Sequence, residues 1–277
     1  MAQKSILITG CSSGIGHHIA HALHGRGWQV LATCRKAEDV ARLQGEGLAC
    51  HHLDLTDTAS IHAGVDWALG ETGGRLDALY NNGAHALGGA IEDTATDGFR
   101  AIFEANFFGW HELTCRIIPV MRKQGHGRIV QCSSVLGFAG IRMRGAYVST
   151  KHAIEGYSDV LRLELKGAGI DVILIEPGPI DTPFRVNAQP HFERWVRTEG
   201  SPWEKFYEKT FKPRLYAEKG PPDRFELSCE ATTKKLIHAL ESPRPNARYF
   251  VTTPTYILDW ARRLLPTRWR DRLLMKG

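Results

Sequence analysis

The chain holds six cysteines, Cys11, Cys34, Cys50, Cys115, Cys132 and Cys229, but no C-x-x-C pair. A zinc knuckle or a thioredoxin-like redox site therefore has no support. Several of these thiols lie in apolar runs, where free cysteine behaves as a small core residue. No cluster of His, Cys and carboxylate suggests a metal, and no internal repeat, low-complexity tract or long flexible linker interrupts the chain. No apolar run reaches the roughly 18 residues of a membrane-crossing helix. Met1 to Thr9 runs straight into a strand pattern and leaves no room for a targeting segment, so the expected compartment is a reducing cytoplasm. Charge of one sign is scarce too: 35 basic residues against 30 acidic give +5. That excess fits an anionic small ligand and does not require nucleic acid. Much of it gathers at Arg262, Arg263, Arg268, Arg270, Arg272 and Lys276. A solvated helix face accounts for this run; contact with an anionic membrane surface, a subunit contact or a lid over the cleft are the alternatives.

What is present is core-forming. Hydrophobic residues make up 43% of 277, enough for one large α/β domain over residues 1–277. Short apolar strands are expected at Ser5–Thr9, Gln29–Thr33, Leu48–Leu53, Leu76–Tyr80, Arg128–Cys132, Asp171–Ile175 and Arg248–Thr252. Helical patterns fill Gly14–Arg26, Ala37–Gln44, the stretch that Asp57 caps, Thr94–Lys123 and Tyr147–Lys166. Strands apolar on both faces, with helices between them, predict a single doubly wound parallel sheet of Rossmann type, with helices on both faces. From Pro179 to Phe225 the texture changes to Pro, aromatic and charged residues, which reads as a substrate-covering insertion. Tyr256–Met275 reads as a basic amphipathic helix interrupted by Pro266.

The first strand meets the first helix through Thr9-Gly10-Cys11-Ser12-Ser13-Gly14-Ile15-Gly16. Glycines there let the backbone turn sharply and approach a pyrophosphate, which the helix N-terminus then faces with free N–H groups. The spacing T-G-x-x-x-G-x-G resembles the short-chain dehydrogenase/reductase family, and the resemblance runs over about residues 4 to 182. After the second strand the chain reads Arg35-Lys36, with no acid to bond the 2′-hydroxyl of NAD. Arg35 is placed to pair with the 2′-phosphate of NADP, with help from Lys36. The resemblance further implies that Asp54 and Leu55 hold the adenine. It likewise implies that Asn81 and Gly83, in an N-N-G-A variant of the family's N-N-A-G, lie beside the cofactor. Pro177-Gly178 matches the family's turn at the nicotinamide, with Ile180 and Thr182 contributing further contacts.

Tyr147 and Lys151 form Y-x-x-x-K, which on a helix places both side chains on one face. An ammonium beside a phenol lowers the phenol's pKa, so that Tyr147 can exchange a proton with a substrate oxygen. The resemblance implies that Ser134, thirteen residues before Tyr147, hydrogen-bonds that oxygen, Ser133 being the alternative. It also implies that Asn106 holds a water on Lys151, completing a proton relay through the cofactor ribose. By itself a mid-helix asparagine reads as a kink or a packing bond. The implied activity is hydride transfer between NADP(H) and a carbonyl or alcohol. The branch it resembles contains steroid and retinoid dehydrogenases and bacterial aldehyde reductases, through the Cys-Ser-Ser-Gly turn, the insertion after Thr182 and the Tyr249-Phe-Val-Thr-Thr-Pro-Thr255 ending. A lipophilic substrate is expected from the aromatic insertion, and a homodimer or homotetramer paired through the two long helices from the family. The rival readings are a catalytically inactive cofactor-binding scaffold and a sugar-nucleotide epimerase or dehydratase. The latter branch carries T-G-x-x-G-x-x-G, which this chain does not.

Overall fold

The computed structural model describes residues 3–217 and 224–275. Seven parallel strands form one sheet in the order β3-β2-β1-β4-β5-β6-β7. They are β1 (Ser5–Ile8), β2 (Gln29–Cys34), β3 (Ala49–His52), β4 (Ala78–Asn81), β5 (Gly127–Cys132), β6 (Ile170–Glu176) and β7 (Arg248–Phe250). Each matches an apolar run read from the sequence, with ends displaced by a residue or two. The helices are α1 (Gly14–His24), α2 (Ala37–Gly45), α3 (Thr58–Glu71), α4 (Thr96–Phe103), α5 (Gly109–Gln124), α6 (Gly145–Glu164), α7 (Phe184–Trp195), α8 (Glu204–Phe206), α9 (Lys212–Tyr216), α10 (Cys229–Glu241), α11 (Thr253–Leu264) and α12 (Thr267–Leu274). Asp57 caps α3 as expected, its carboxylate accepting from Ala59 N.

Alternate strand residues serve opposite layers. Ile6, Ile8, Val30, Ala32, Tyr80 and Val130 pack with Ile19 and Leu23 of α1 and Leu236 of α10. Leu7, Leu31, Leu79 and Ile129 pack with Ile61 of α3, Leu113 of α5 and Leu161 of α6. Both faces of the sheet are thus sealed, and strand order reverses between β1 and β4. At such a switch point the loops after the two strands diverge and open a crevice.

The helix expected over Thr94–Lys123 is α4 and α5 joined by a π turn at Glu104–Phe108, which contains Asn106. Single π turns inside helices recur at functional sites. The insertion builds a third core: Ala188 and Phe192 of α7, Tyr207, and Phe211 and Leu215 pack with Leu87, Ile102, Met143 and Tyr147. The Tyr207 hydroxyl donates to Asp93 (2.8 Å) and accepts from Ala90 N (2.7 Å), which fixes the insertion to the loop after β4. The C-terminal pattern breaks at Pro266 into α11 and α12, and it is more than a solvated charged face: Trp260, Leu264 and Trp269 are all more than 60% exposed. Lys276 lies outside the described residues. No helix among the described residues is long and apolar enough to cross a membrane.

One ionic knot joins the sheet edge to α6. Arg248 of β7 pairs with Glu176 at the end of β6 and with Glu155 and Asp159 of α6. Burial and the neighbouring Glu155 push the Glu176 carboxyl upward, against the pull of Arg248. Arg248→Met would leave Glu155 and Glu176 buried without their cation, a loss of about 3–5 kcal/mol. The expected outcome is a lower urea midpoint with an unchanged m-value.

Candidate active site

Backbone packs on backbone at the switch point. Gly10 (φ 71°) and Gly14 (φ 58°) occupy the left-handed region. A Cβ on Gly10 would strike Gly83, and one on Gly16 would strike the Gly10 carbonyl. Ser13 caps α1 with no side-chain bond, so the N–H groups of the first turn remain available to an anion. Ile15 packs against the core, the Ser12 carbonyl accepts from Arg42 of α2 (2.6 Å), and Thr182 stands over Gly14. This cradle, closed to any side chain but open to a phosphate, fits the expected dinucleotide.

Asn81 and Asn82 divide their tasks differently from the expectation. The Asn81 amide is turned into the core, donating to Thr114 Oγ1 (3.0 Å) and Gln131 Oε1 (2.9 Å). Only its backbone remains to face a ligand. Asn82, not singled out from the sequence, braces the glycine turn by donating to the carbonyls of Thr9 (3.0 Å) and Gly10 (3.2 Å). Asp54 uses Oδ1 to accept from the backbone and hydroxyl of Thr56, which sets the loop after β3. Leu55 packs against Gly83. Arg35 and Lys36 are exposed just past β2. Lys36 lies 3.5 Å from Glu38, whereas Arg35 has neither a hydrogen bond nor an ion pair among the described residues.

Tyr147 and Lys151, one turn apart on α6, are both buried. Lys151 Nζ donates to the Cys132 carbonyl (2.7 Å), lies 4.5 Å from the centre of the Trp110 ring and 5.6 Å from that of Tyr147. Burial pulls its pKa down to about 8, against the opposing influence of Cys132 and Glu155. Burial pushes the Tyr147 phenol up; a hydrogen bond from Ser134 and the charge of Arg144 pull it back.

Ser134 opens the 3-10 turn Val135–Gly137; its hydroxyl accepts from Leu136 N (3.1 Å) and donates to the Pro177 carbonyl (3.4 Å). Val135 N donates to the same carbonyl (2.8 Å), so the serine turn and the Pro177-Gly178 turn form one unit. A side chain on Gly178 would strike Thr252. Ile180 is held by a parallel bridge to Leu227. Ser133 points elsewhere and donates to Glu155, which leaves Ser134 as the serine beside Tyr147. The Asn106 side chain grips the His85 backbone, accepting from its N–H (3.0 Å) and donating to its carbonyl (2.9 Å). Asn106 therefore makes the packing bond and sits in the helix distortion that a mid-helix asparagine suggests.

The sequence reading missed several participants. Trp110 reaches from α5 to donate to the Gly83 carbonyl (2.7 Å). His85 and His191 of α7 stack 3.7 Å apart across the cleft. Burial, then His191 and Arg35, pull His85 down to about 3, so the pair is neutral at physiological pH. These contacts join residues far apart in the chain and leave no local pattern. Another, His17 and His21 with Glu46, is the one metal-capable group among the described residues; it lies on α1 and just past α2, outside the cleft.

A glycine-lined crevice at a sheet switch point, with Ser, Tyr and Lys at its mouth, defines a dinucleotide-dependent oxidoreductase architecture. The family model for short chain dehydrogenases matches residues 4–192. Escherichia coli "uncharacterized oxidoreductase YbbO" is 39% identical over 98% of this chain and 94% of its own length. Rat 17-beta-hydroxysteroid dehydrogenase type 6 is 32% identical over 98% of this chain and 88% of its own. A short-chain dehydrogenase structure from Streptomyces avermitilis superposes with a TM-score of 0.80 at 27% identity, covering 100% of this chain and 99% of that one. The chain belongs to the short chain dehydrogenase family and is an oxidoreductase of that family.

Lys151 also yields a stability prediction. The native side chain holds its proton only to about pH 8, while the unfolded one holds it to about 10.5. The protonated, buried amine thus weakens the fold by about 3 kcal/mol below pH 8, and that penalty disappears as pH rises toward 10.5. Lys151→Met is expected to raise Tm by several degrees at pH 7, with the gain fading above pH 8. Thermal unfolding across that range is the measurement.

Proposed function

We propose that this protein is an NADP(H)-dependent oxidoreductase acting on a lipophilic carbonyl or alcohol, with Tyr147 as general acid and base. The observation that carries this reading is the convergence of Ser134, Tyr147 and Lys151 beside the glycine cradle. Bound NADPH would supply the hydride. The Gly10–Gly16 turn would hold its pyrophosphate, Asp54 and Leu55 its adenine, and Arg35 with Lys36 its 2′-phosphate. Pro177, Gly178, Ile180 and Thr182 would hold the nicotinamide end, and the Asn81 and Gly83 backbone would line its side. Ser134 and Tyr147 would bond the substrate oxygen. Tyr147 would give that oxygen its proton, and Lys151, already deprotonating near neutral pH, would help to return one with Asn106.

Arg35 supports NADP over NAD because it is an exposed guanidinium without a hydrogen-bond or ion-pair partner among the described residues, where the adenosine ribose would lie. The aromatic core around Tyr147 supports a lipophilic substrate, as does the resemblance to a hydroxysteroid dehydrogenase. Exposed Phe108, Val160 and Leu163 on the two long helices support a homodimer or homotetramer paired through them. Six free thiols, none of them bridged, support a reducing cytoplasm. An intact Ser-Tyr-Lys set favours an active enzyme over a binding scaffold.

Tyr147→Phe is expected to lower NADPH-dependent carbonyl reduction by roughly 10²–10⁴-fold while coenzyme affinity, read by fluorescence titration, stays close to that of the parent. Full activity in the variant would remove this role. For Arg35→Ala, the expected result is a fall of roughly 10–100-fold in the ratio of kcat/KM with NADPH to that with NADH. An unchanged ratio would defeat the selectivity argument.

A further inference from the structure

Arg144 caps α6, three residues before Tyr147, and the residue after β4 that faces it is Gly88. A side chain on Gly88 would strike both Arg144 Nη1 and the Phe211 ring, so this glycine makes room for the pair. The guanidinium carbon stands 5.5 Å from the centre of that ring. The Arg144 side chain has no hydrogen bond and no ion pair among the described residues. None of its nitrogens is sealed off, so each retains an opening. Burial works against its charge most, and the cations of Arg214 and Arg185 act in the same direction; the Tyr147 phenol alone opposes them. The acids that follow the segment bridged to Arg144 at Gly89 are already engaged, Glu92 by Trp203 and Asp93 by Ser201 and Tyr207.

A guanidinium withdrawn from water and left without an acceptor is costly, and five fixed donors match a planar carboxylate. We propose that Arg144 binds the carboxylate of a carbonyl substrate, so that the preferred substrates are oxo acids with an apolar spacer between the two groups. This rests on the oxidoreductase reading above and narrows it from lipophilic carbonyls to amphipathic, anionic ones. The carbonyl would lie at Ser134 and Tyr147. The spacer would run along Met143, Phe211 and Leu215, and the carboxylate would pair with Arg144.

The test compares a series of ω-oxo carboxylates with their methyl esters. The wild-type protein is expected to favour the acid over the ester of matched length by roughly tenfold or more in kcat/KM. Arg144→Gln should erase that preference, so that acid and ester of matched length react with equal kcat/KM whatever the change in their common rate. Arg144→Lys should retain part of it. A second readout needs no turnover: straight-chain carboxylates should bind the wild-type protein in the presence of NADPH more tightly than the matching amides, by the same factor. Acetate alone, lacking the spacer, should not compete. Equal rates for acid and ester in the wild type, or equal affinity for carboxylate and amide, would overturn the proposal even if Arg144→Gln fails to fold. Competition by acetate at similar concentrations would reduce the site to a general anion contact and overturn the substrate claim. Carboxylate binding that depends on Arg144, without reduction of any oxo acid or ester, would instead refute the oxidoreductase reading and keep the site.

Discussion

The ammonium of Lys151 sits at the junction of β5, α5 and α6, and its contacts run through the whole site. It donates to the end of β5 at Cys132 and lies against the ring of Trp110. Trp110 in turn donates to the Gly83 carbonyl, and Gly83 is the backbone on which Gly10 packs. Helix α6 is therefore linked to the glycine turn by one cation, one indole and two glycines. Burying a lysine costs desolvation, and the protein accepts that cost where the amine is positioned beside a phenol. The result is an amine that titrates near neutral pH and a phenol that does not. Burial raises the Tyr147 phenol, and Ser134 and Arg144 act against that rise.

The ionic knot of Arg248 fixes the other side. Because Ser133 is bonded to Glu155, and Glu155 to Arg248, the serine turn is tied to the last strand of the sheet. Ser134 then faces the cleft because its neighbour faces away. Two adjacent serines that look equivalent in sequence are separated by what lies behind each of them.

The order of strands and the glycine turn were legible because they rest on local rules. A strand buried on both faces is a run of apolar residues, and a turn that excludes every Cβ must be glycine. Asn82 escaped because its task is to hold two carbonyls of a segment more than seventy residues away. Asn81, its neighbour, looks identical in sequence but spends its amide inside the core. Helix α10 left a weak trace because its inner face buries Thr232 and Thr233 beside Leu236, Ala239 and Leu240, so the apolar stripe is thin. The helices of the insertion were hidden for a related reason. Their apolar face is aromatic and irregular, and it is completed by Leu87, Ile102 and Met143 from elsewhere in the chain.

This difference separates the two halves of the cleft. The coenzyme half is made of backbone, whose shape must be kept whatever the substrate. The substrate half is made of side chains contributed by α6, α7 and α9, and can change residue by residue. The charges follow the same division. The carboxylates of Glu155, Asp159 and Glu176 are gathered behind the serine turn under one arginine, whereas Arg35 and Arg144 have no bonded acid among the described residues. With these acids tied behind the serine turn, the Arg35 and Arg144 guanidinium groups leave positive charge at both ends of the cleft. A polyanionic dinucleotide would satisfy the Arg35 end. The same electrostatic reasoning, applied to the end beside Tyr147, favours a substrate that carries negative charge of its own.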